Sequence, residues 1–120
     1  MRFLTSPRLL LRAEGFALLA VAAFAYGWTG GNWLAFALLL LAPDLGMLGY
    51  ARGTRLGAAT YNLVHNGVPP AALLVYGAQL QDAAPLGAAF IWFAHIGMDR
   101  ALGFGLKYPT AFSDTHLQHV

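Results

Sequence analysis

The sequence predicts an all-α fold: a polytopic membrane protein whose four transmembrane helices form an antiparallel bundle, with the third helix broken. Three observations predict it. Hydrophobic residues make up 58% of the 120 residues and charged residues only 10%, against about 25% charged in soluble domains. Such a chain lacks the polar residues to cover a water-facing globule of its size. Four apolar segments follow one another, each near the roughly 20 residues that cross a hydrocarbon core about 30 Å thick. All seven Lys and Arg residues fall on one side of the membrane once four spans are drawn.

The first segment runs from Arg8 to Trp28 and the second from Asn32 to Tyr50. The third runs from Arg55 to Leu80 and the fourth from Ala84 to Leu106. The breaks between them are "TGG", "ARGT" and "QDA", short and rich in turn formers, so neighbouring helices are expected to be antiparallel hairpins. In the third segment Pro69 and Pro70 remove two consecutive N–H donors, which frees the carbonyls of His65 and Asn66. Pro43 likewise frees the carbonyl of Leu39 in the second. The domain organisation expected is a four-helix transmembrane domain over residues 1–107 and a short cytoplasmic tail over 108–120.

Charge sets the orientation. Arg2, Arg8, Arg12, Arg52, Arg55, Arg100 and Lys107 lie at the N-terminal end, in the second loop or at the C-terminal end. The first and third loops carry no Lys or Arg, only Asp82. The positive-inside rule then places both termini and the second loop in the cytoplasm. Trp28, Trp33 and Tyr76 suit an outer interfacial belt. The basic start and the "AFA" at Ala23 to Ala25 resemble a cleavable signal, but Glu14 breaks the apolar run such a signal needs. A scattered net charge of +2 points away from nucleic acid. With no cysteine, thiolate ligands, thiol nucleophiles and disulfides are excluded.

Polar residues inside these spans need a reason. Glu14, Asp44, His65, His95 and Asp99 all sit there, and a charge at the bilayer centre costs about 2.5–3.5 kcal/mol on insertion scales. At 1.5 Å per residue they lie about 9–17 Å in from the cytoplasmic ends of their helices, in one layer. His95 and Asp99 are i, i+4 on the fourth helix, and Gly103 continues that face. Asn62, His65 and Asn66 share a face of the third helix, with Tyr61 a turn before His65. The expectation is a single polar pocket in the cytoplasmic half of the bilayer. The plainer reading is a set of interhelical hydrogen bonds that fix helix order. Glu14 then serves as a salt-bridge partner, and Arg100 pairs with Glu14 or Asp44 or reaches the headgroups. Asp114 and His116, in "SDTHL", belong either to a solvated tail or to one folded back over the mouth by Tyr108 and Pro109.

The strings "LAPDLGMLGY" (41–50), "YNLVHN" (61–66) and "HIGMDRALGFGLKYPTAFSDTHL" (95–117) resemble a family of small bacterial membrane proteins, domain-of-unknown-function family 4260. The resemblance implies a four-helix integral membrane protein with a motif-bearing cytoplasmic side, and implies no activity. Asp44, Asn62, His65, His95, Asp99, Lys107, Asp114 and His116 fall in the shared strings, and Glu14 in "LLRAEG" resembles the family's start. "HIGMD" is also similar to the His-x-x-x-Asp spacing of membrane-bound metal-dependent hydrolases.

Three functions compete. In the first, a metal-dependent hydrolase is embedded in the membrane and acts on a lipid-like substrate. His65, His95, Asp99 and Asp44 hold a divalent cation (Zn, Fe or Mn), while Asp99, Asp44 or Glu14 supplies catalytic carboxylate. Asn62, His65, Asn66, Arg100, Asp114 and His116 bind ligand around it. In the second, the pocket is the ion- or proton-linked site of a small binding or transport module, a homodimer joined through Ala17, Gly46 or Gly49. In the third, the chain is an accessory structural subunit and the polar layer is helix-packing glue.

Overall fold

The computed structural model of the protein describes residues 4–44, 51–106 and 115. They form five α-helices: α1 (Pro7–Trp28), α2 (Trp33–Leu39), α3 (Thr54–His65), α4 (Val68–Leu80) and α5 (Ala83–Leu102). Among the described residues the regular elements are all helices, and the α1–α2 and α4–α5 connections fall at breaks read from the sequence. Among the described residues α1 alone is both long and apolar enough to cross a membrane, with 22 residues and a mean hydropathy of 1.7. α5 has 20 residues but carries His95, Asp99 and Arg100. α3 and α4, with 12 and 13 residues, reach only about 18–20 Å each at 1.5 Å per residue.

Local chemistry explains the ends. The Ser6 hydroxyl accepts from the Leu9 N–H at 3.4 Å, and Pro7 opens α1 where its missing donor is harmless. Gly30, at φ 72°, turns the chain out of α1. Asn32 then caps α2, its side-chain oxygen accepting from the N–H groups of Leu34 (2.7 Å) and Ala35 (3.3 Å). The Tyr26 hydroxyl donates to the Asn32 carbonyl at 2.6 Å, and its ring packs against Trp33 and Phe36. The α1–α2 hairpin is thereby fastened at its tip.

α2 is shorter than the span expected over Asn32 to Tyr50. The α-helix stops at Leu39, and a tight 3₁₀ turn carries the chain to Asp44. Pro43 has no N–H to return to the Leu39 carbonyl, so the regular ladder cannot continue. Residues 45–50, including Gly46 and Gly49, lie outside the described residues.

The third segment is broken between His65 and Pro70, as expected from the two prolines. α3 ends at His65, Asn66 is extended with ψ 163°, and α4 begins at Val68. Pro69 and Pro70 sit in the first turn of α4, where a helix has orphan donors anyway. Asn66 holds the break together. Its amide donates to the carbonyls of Asn62 (2.6 Å) and Leu63 (3.1 Å), and its oxygen accepts from the Val68 N–H at 2.9 Å. One side chain closes the end of α3 and the start of α4. Asn66→Ala is expected to cost about 0.5–2 kcal/mol, the range for losing a cap. It should lower the thermal unfolding midpoint in detergent; an unchanged midpoint would show that the break stands without it.

α4 and α5 form an antiparallel hairpin. Gln81 takes a left-handed conformation (φ 52°), and the Asp82 carboxylate accepts from the Ala84 N–H at 3.1 Å to start α5. α5 is the axis of the molecule, with α1 and α4 packed along it. α1 runs antiparallel to α5: Gly15 faces Gly97 and Arg100, while Tyr26 faces Gly87. A Cβ added to Gly97 would stand 2.5 Å from the Leu19 nitrogen and 2.6 Å from the Gly15 carbonyl oxygen, so the two backbones touch there.

Candidate metal centre

Three parts of the fold meet at one point. α5 presents His95 and Asp99, one turn apart. α3 ends on His65, and the turn after α2 ends on Asp44. Both histidines are fully buried and Asp99 nearly so, while the Asp44 side chain is 40% exposed. The Nε2 atoms of His65 and His95 are 3.0 Å apart. Asp44 Oδ1 lies 3.2 Å from each of them. Asp99 Oδ2 lies 3.1 Å from His95 Nε2 and 3.4 Å from His65 Nε2. All four atoms fall within 4.8 Å of one another.

Protons alone serve this cluster poorly. His65 Nδ1 faces the Tyr61 carbonyl at 2.8 Å, and a carbonyl can only accept, so Nδ1 carries the proton. In the neutral ring Nε2 then turns a lone pair toward the other three atoms. The neutral His95 ring can bring at most one N–H to meet three acceptors. Protonating both Nε2 atoms would drive two N–H groups together across 3.0 Å. A cation answers all four lone pairs at once. Bonds of about 2.0–2.1 Å to nitrogen and oxygen in a tetrahedron give ligand-to-ligand edges of about 3.3–3.4 Å. Five of the six edges here measure 3.0–3.4 Å. A divalent ion with two neutral imidazoles and two carboxylates is also formally neutral, which limits the cost of burying it.

The neighbouring groups hold these side chains in place. The Tyr61 carbonyl fixes the His65 tautomer, as outer-sphere carbonyls do for metal-bound histidines. Its ring stacks on His65 with centroids 3.6 Å apart, and its hydroxyl reaches Asp99 Oδ2 at 3.5 Å. α5 completes the end of α3. The Trp92 indole donates to the Val64 carbonyl at 2.5 Å. Arg100 donates to the His65 carbonyl at 3.1 Å, the acceptor that Pro69 cannot serve. Arg100 also donates to the Phe104 carbonyl at 2.9 Å. Among the described residues its hydrogen bonds go to these two carbonyls, and the expected pairing with Glu14 or Asp44 is not made.

Of the residues expected to converge, Asp44, His65, His95 and Asp99 do so. Glu14 does not: it is exposed on α1. The face of α1 turned to α5 is that of Gly15, Ala22 and Tyr26, and Glu14 lies about 100° round from Gly15. Asn62 and Asn66 belong to the α3–α4 break, Asn62 through its carbonyl. Asp114, His116 and Lys107 lie outside the described residues, while Thr115 is buried. Sequence reasoning missed Trp92 and the part played by Arg100. The orphan carbonyls before Pro69 were the signal that could have found Arg100, since such a carbonyl buried away from water requires a donor.

An all-helical protein with two buried histidines, a buried aspartate and a part-exposed aspartate gathered at a broken helix is the class these features define. The chain belongs to the family described as domain of unknown function (DUF4260), whose model matches residues 8–120. Comparison with curated proteins and with solved structures gives no match.

Proposed function

We propose that the protein is a membrane-embedded metalloprotein in which His65, His95, Asp99 and Asp44 hold one divalent cation (Zn, Fe or Mn) and use it for hydrolysis. The observation that carries this reading is the set of four lone-pair atoms at tetrahedral-edge spacing. Zinc, iron and manganese all accept such nitrogen and oxygen donors. A cation of this kind lowers the pKa of a bound water toward neutrality. His65, His95 and Asp99 form the buried, firmly held part of the set. Asp44 stands at the exposed edge, where its carboxylate can yield to water and accept the water's proton.

The surface supports the membrane. α1 exposes Leu9, Phe16, Val21, Phe24 and Trp28 along its length, the last at 82%. α2 exposes Trp33, Leu34, Leu38 and Leu39, and α4 exposes Val68, Val75, Tyr76 and Leu80. Water-soluble monomers rarely present so much contiguous apolar surface. We place it in the inner membrane with both termini cytoplasmic, on the Lys and Arg distribution. Reporter fusions after Gly30 and after Asp82 should both read as external; a cytoplasmic signal at either site rejects the orientation.

Metal analysis of the purified protein tests the centre. Wild type should carry about one ion per chain after growth with zinc, manganese or iron, and His95→Ala should carry almost none, because loss of a ligand removes more than the about 10–100-fold in affinity that an outer-sphere change does. Background metal in wild type under all three supplements sinks the proposal. The broken helix favours a second reading, an ion- or proton-linked binding module working as a homodimer. That reading needs no stoichiometric metal, so the same analysis separates the two.

A further inference from the structure

An apolar cleft of about 300 Å³ adjoins the cluster. Leu39, Pro43, Val64, Leu73, Ala88 and Trp92 are among the residues that line it. Its lining offers no free polar group: the Trp92 indole N–H is spent on the Val64 carbonyl. Its position is the informative part. Pro43 precedes Asp44 and Val64 precedes His65. On α5, Ala88 and Trp92 lead at helical spacing to His95 and Asp99, so cleft wall and ligands share one face of the helix. Trp92 stands about 4.5 Å before His95 along the axis at 1.5 Å per residue. The cleft wall therefore stands beside the metal ligands, within a helical turn of His95, although none of the four ligands lines it. The cleft also takes in Leu39, which is exposed, on a flank that meets lipid chains under the membrane reading.

We infer that the metal centre acts on a single-chain amphiphile: its alkyl chain occupies this cleft and its polar group reaches the cation beside Asp44. The inference rests on the metal reading above. The volume lies at the lower limit of small-molecule pockets, about 300–1,000 Å³, which suits one chain rather than a paired or ring-bearing tail. The apolar lining gives water few hydrogen-bond partners, so an alkyl chain that fills the cleft displaces little that needs replacing. The chain enters sideways from the bilayer, and the metal meets whatever bond joins chain to head.

A decanoyl hydroxamate with a diazirine at the chain end tests this directly, since the hydroxamate binds metal and the diazirine marks where the tail lies. In metal-loaded protein in nanodiscs, photolabelling should fall on cleft residues such as Leu39, Leu73 and Ala88. It should drop at least tenfold after His95→Ala, which removes the metal. It should drop similarly after Ala88→Phe or Leu73→Trp, which fill the cleft from opposite walls, with metal content as the check that each variant has folded. Labelling spread over the exposed faces of α1 and α2, unchanged by either filling variant, overturns the cleft and leaves the metal centre standing. Cleft labelling that survives His95→Ala overturns the link between chain and metal. A wild-type protein that loads no metal overturns the underlying reading, and this inference with it.

Discussion

Replacing Gly97 with alanine is expected to destabilise the protein by about 3 kcal/mol or more, at or beyond the upper end for overpacked cores. The added Cβ would meet the Leu19 nitrogen at 2.5 Å and the Gly15 carbonyl oxygen at 2.6 Å. Both are backbone atoms, so no rotamer change relieves the clash and α1 must move off α5. Gly97 also lies between His95 and Asp99, so the shift should loosen the metal centre and lower metal content with stability. Gly67→Ala is the control: a Cβ there comes no nearer than 3.7 Å to the Phe93 ring, an ordinary contact. The thermal unfolding midpoint in detergent reads the difference. Equal midpoints for Gly97→Ala and wild type would mean that α1 and α5 are not in backbone contact.

The helical class and its punctuation were legible because local chemistry decides them. Gly30, Asn32, Gly53, Gln81 and Asp82 turn or cap the chain where the breaks stand, and each acts on immediate neighbours. Span lengths were less legible. Hydropathy runs through Pro43 without interruption, but the helix cannot, since proline withholds the donor that the Leu39 carbonyl needs. The third break falls between His65 and Pro70, as the carbonyls freed by the two prolines imply, with α3 ending at His65 and α4 starting at Val68. A pair of prolines is compatible with the first turn of a new helix, and Asn66 could cap both sides of a gap placed just before it.

The four-residue centre was legible from depth and spacing. His95 and Asp99 had to share a face at i, i+4, and an acid in an apolar segment is costly enough to bury that it needs partners. Glu14 shared that depth but not that direction. Depth along a helix follows from counting residues, whereas direction around it depends on which face the neighbour covers. On α1 that face is chosen by the close approach of Gly15 to Gly97, a tertiary contact with no local signature. Trp92 and the part played by Arg100 escaped notice for the same reason, because their acceptors there are backbone carbonyls of another helix.

Asp99→Asn and Asp44→Asn are expected to separate holding the metal from using it. Asp99 is 7% exposed, lies within 3.4 Å of both histidine Nε2 atoms and receives the Tyr61 hydroxyl. The asparagine keeps the shape but would leave a bound cation with one carboxylate instead of two, at a position nearly buried from solvent. Metal affinity should fall by more than the about 10–100-fold typical of losing an outer-sphere partner. Asp44, at 40% exposure, has solvent at hand, and water can take its coordination position. Asp44→Asn should therefore keep its metal within about tenfold of wild type, because an open fourth position is normal where three protein ligands hold a catalytic ion. Any hydrolytic turnover should nevertheless drop sharply, since the proton acceptor is gone. Competition against a chelator of known affinity reads the first quantity, and turnover of a long-chain ester or phosphate reads the second. Equal loss of metal from both variants would mark a closed four-ligand site with a structural role. Undiminished affinity in Asp99→Asn would instead make Asp99 a packing hydrogen bond between helices.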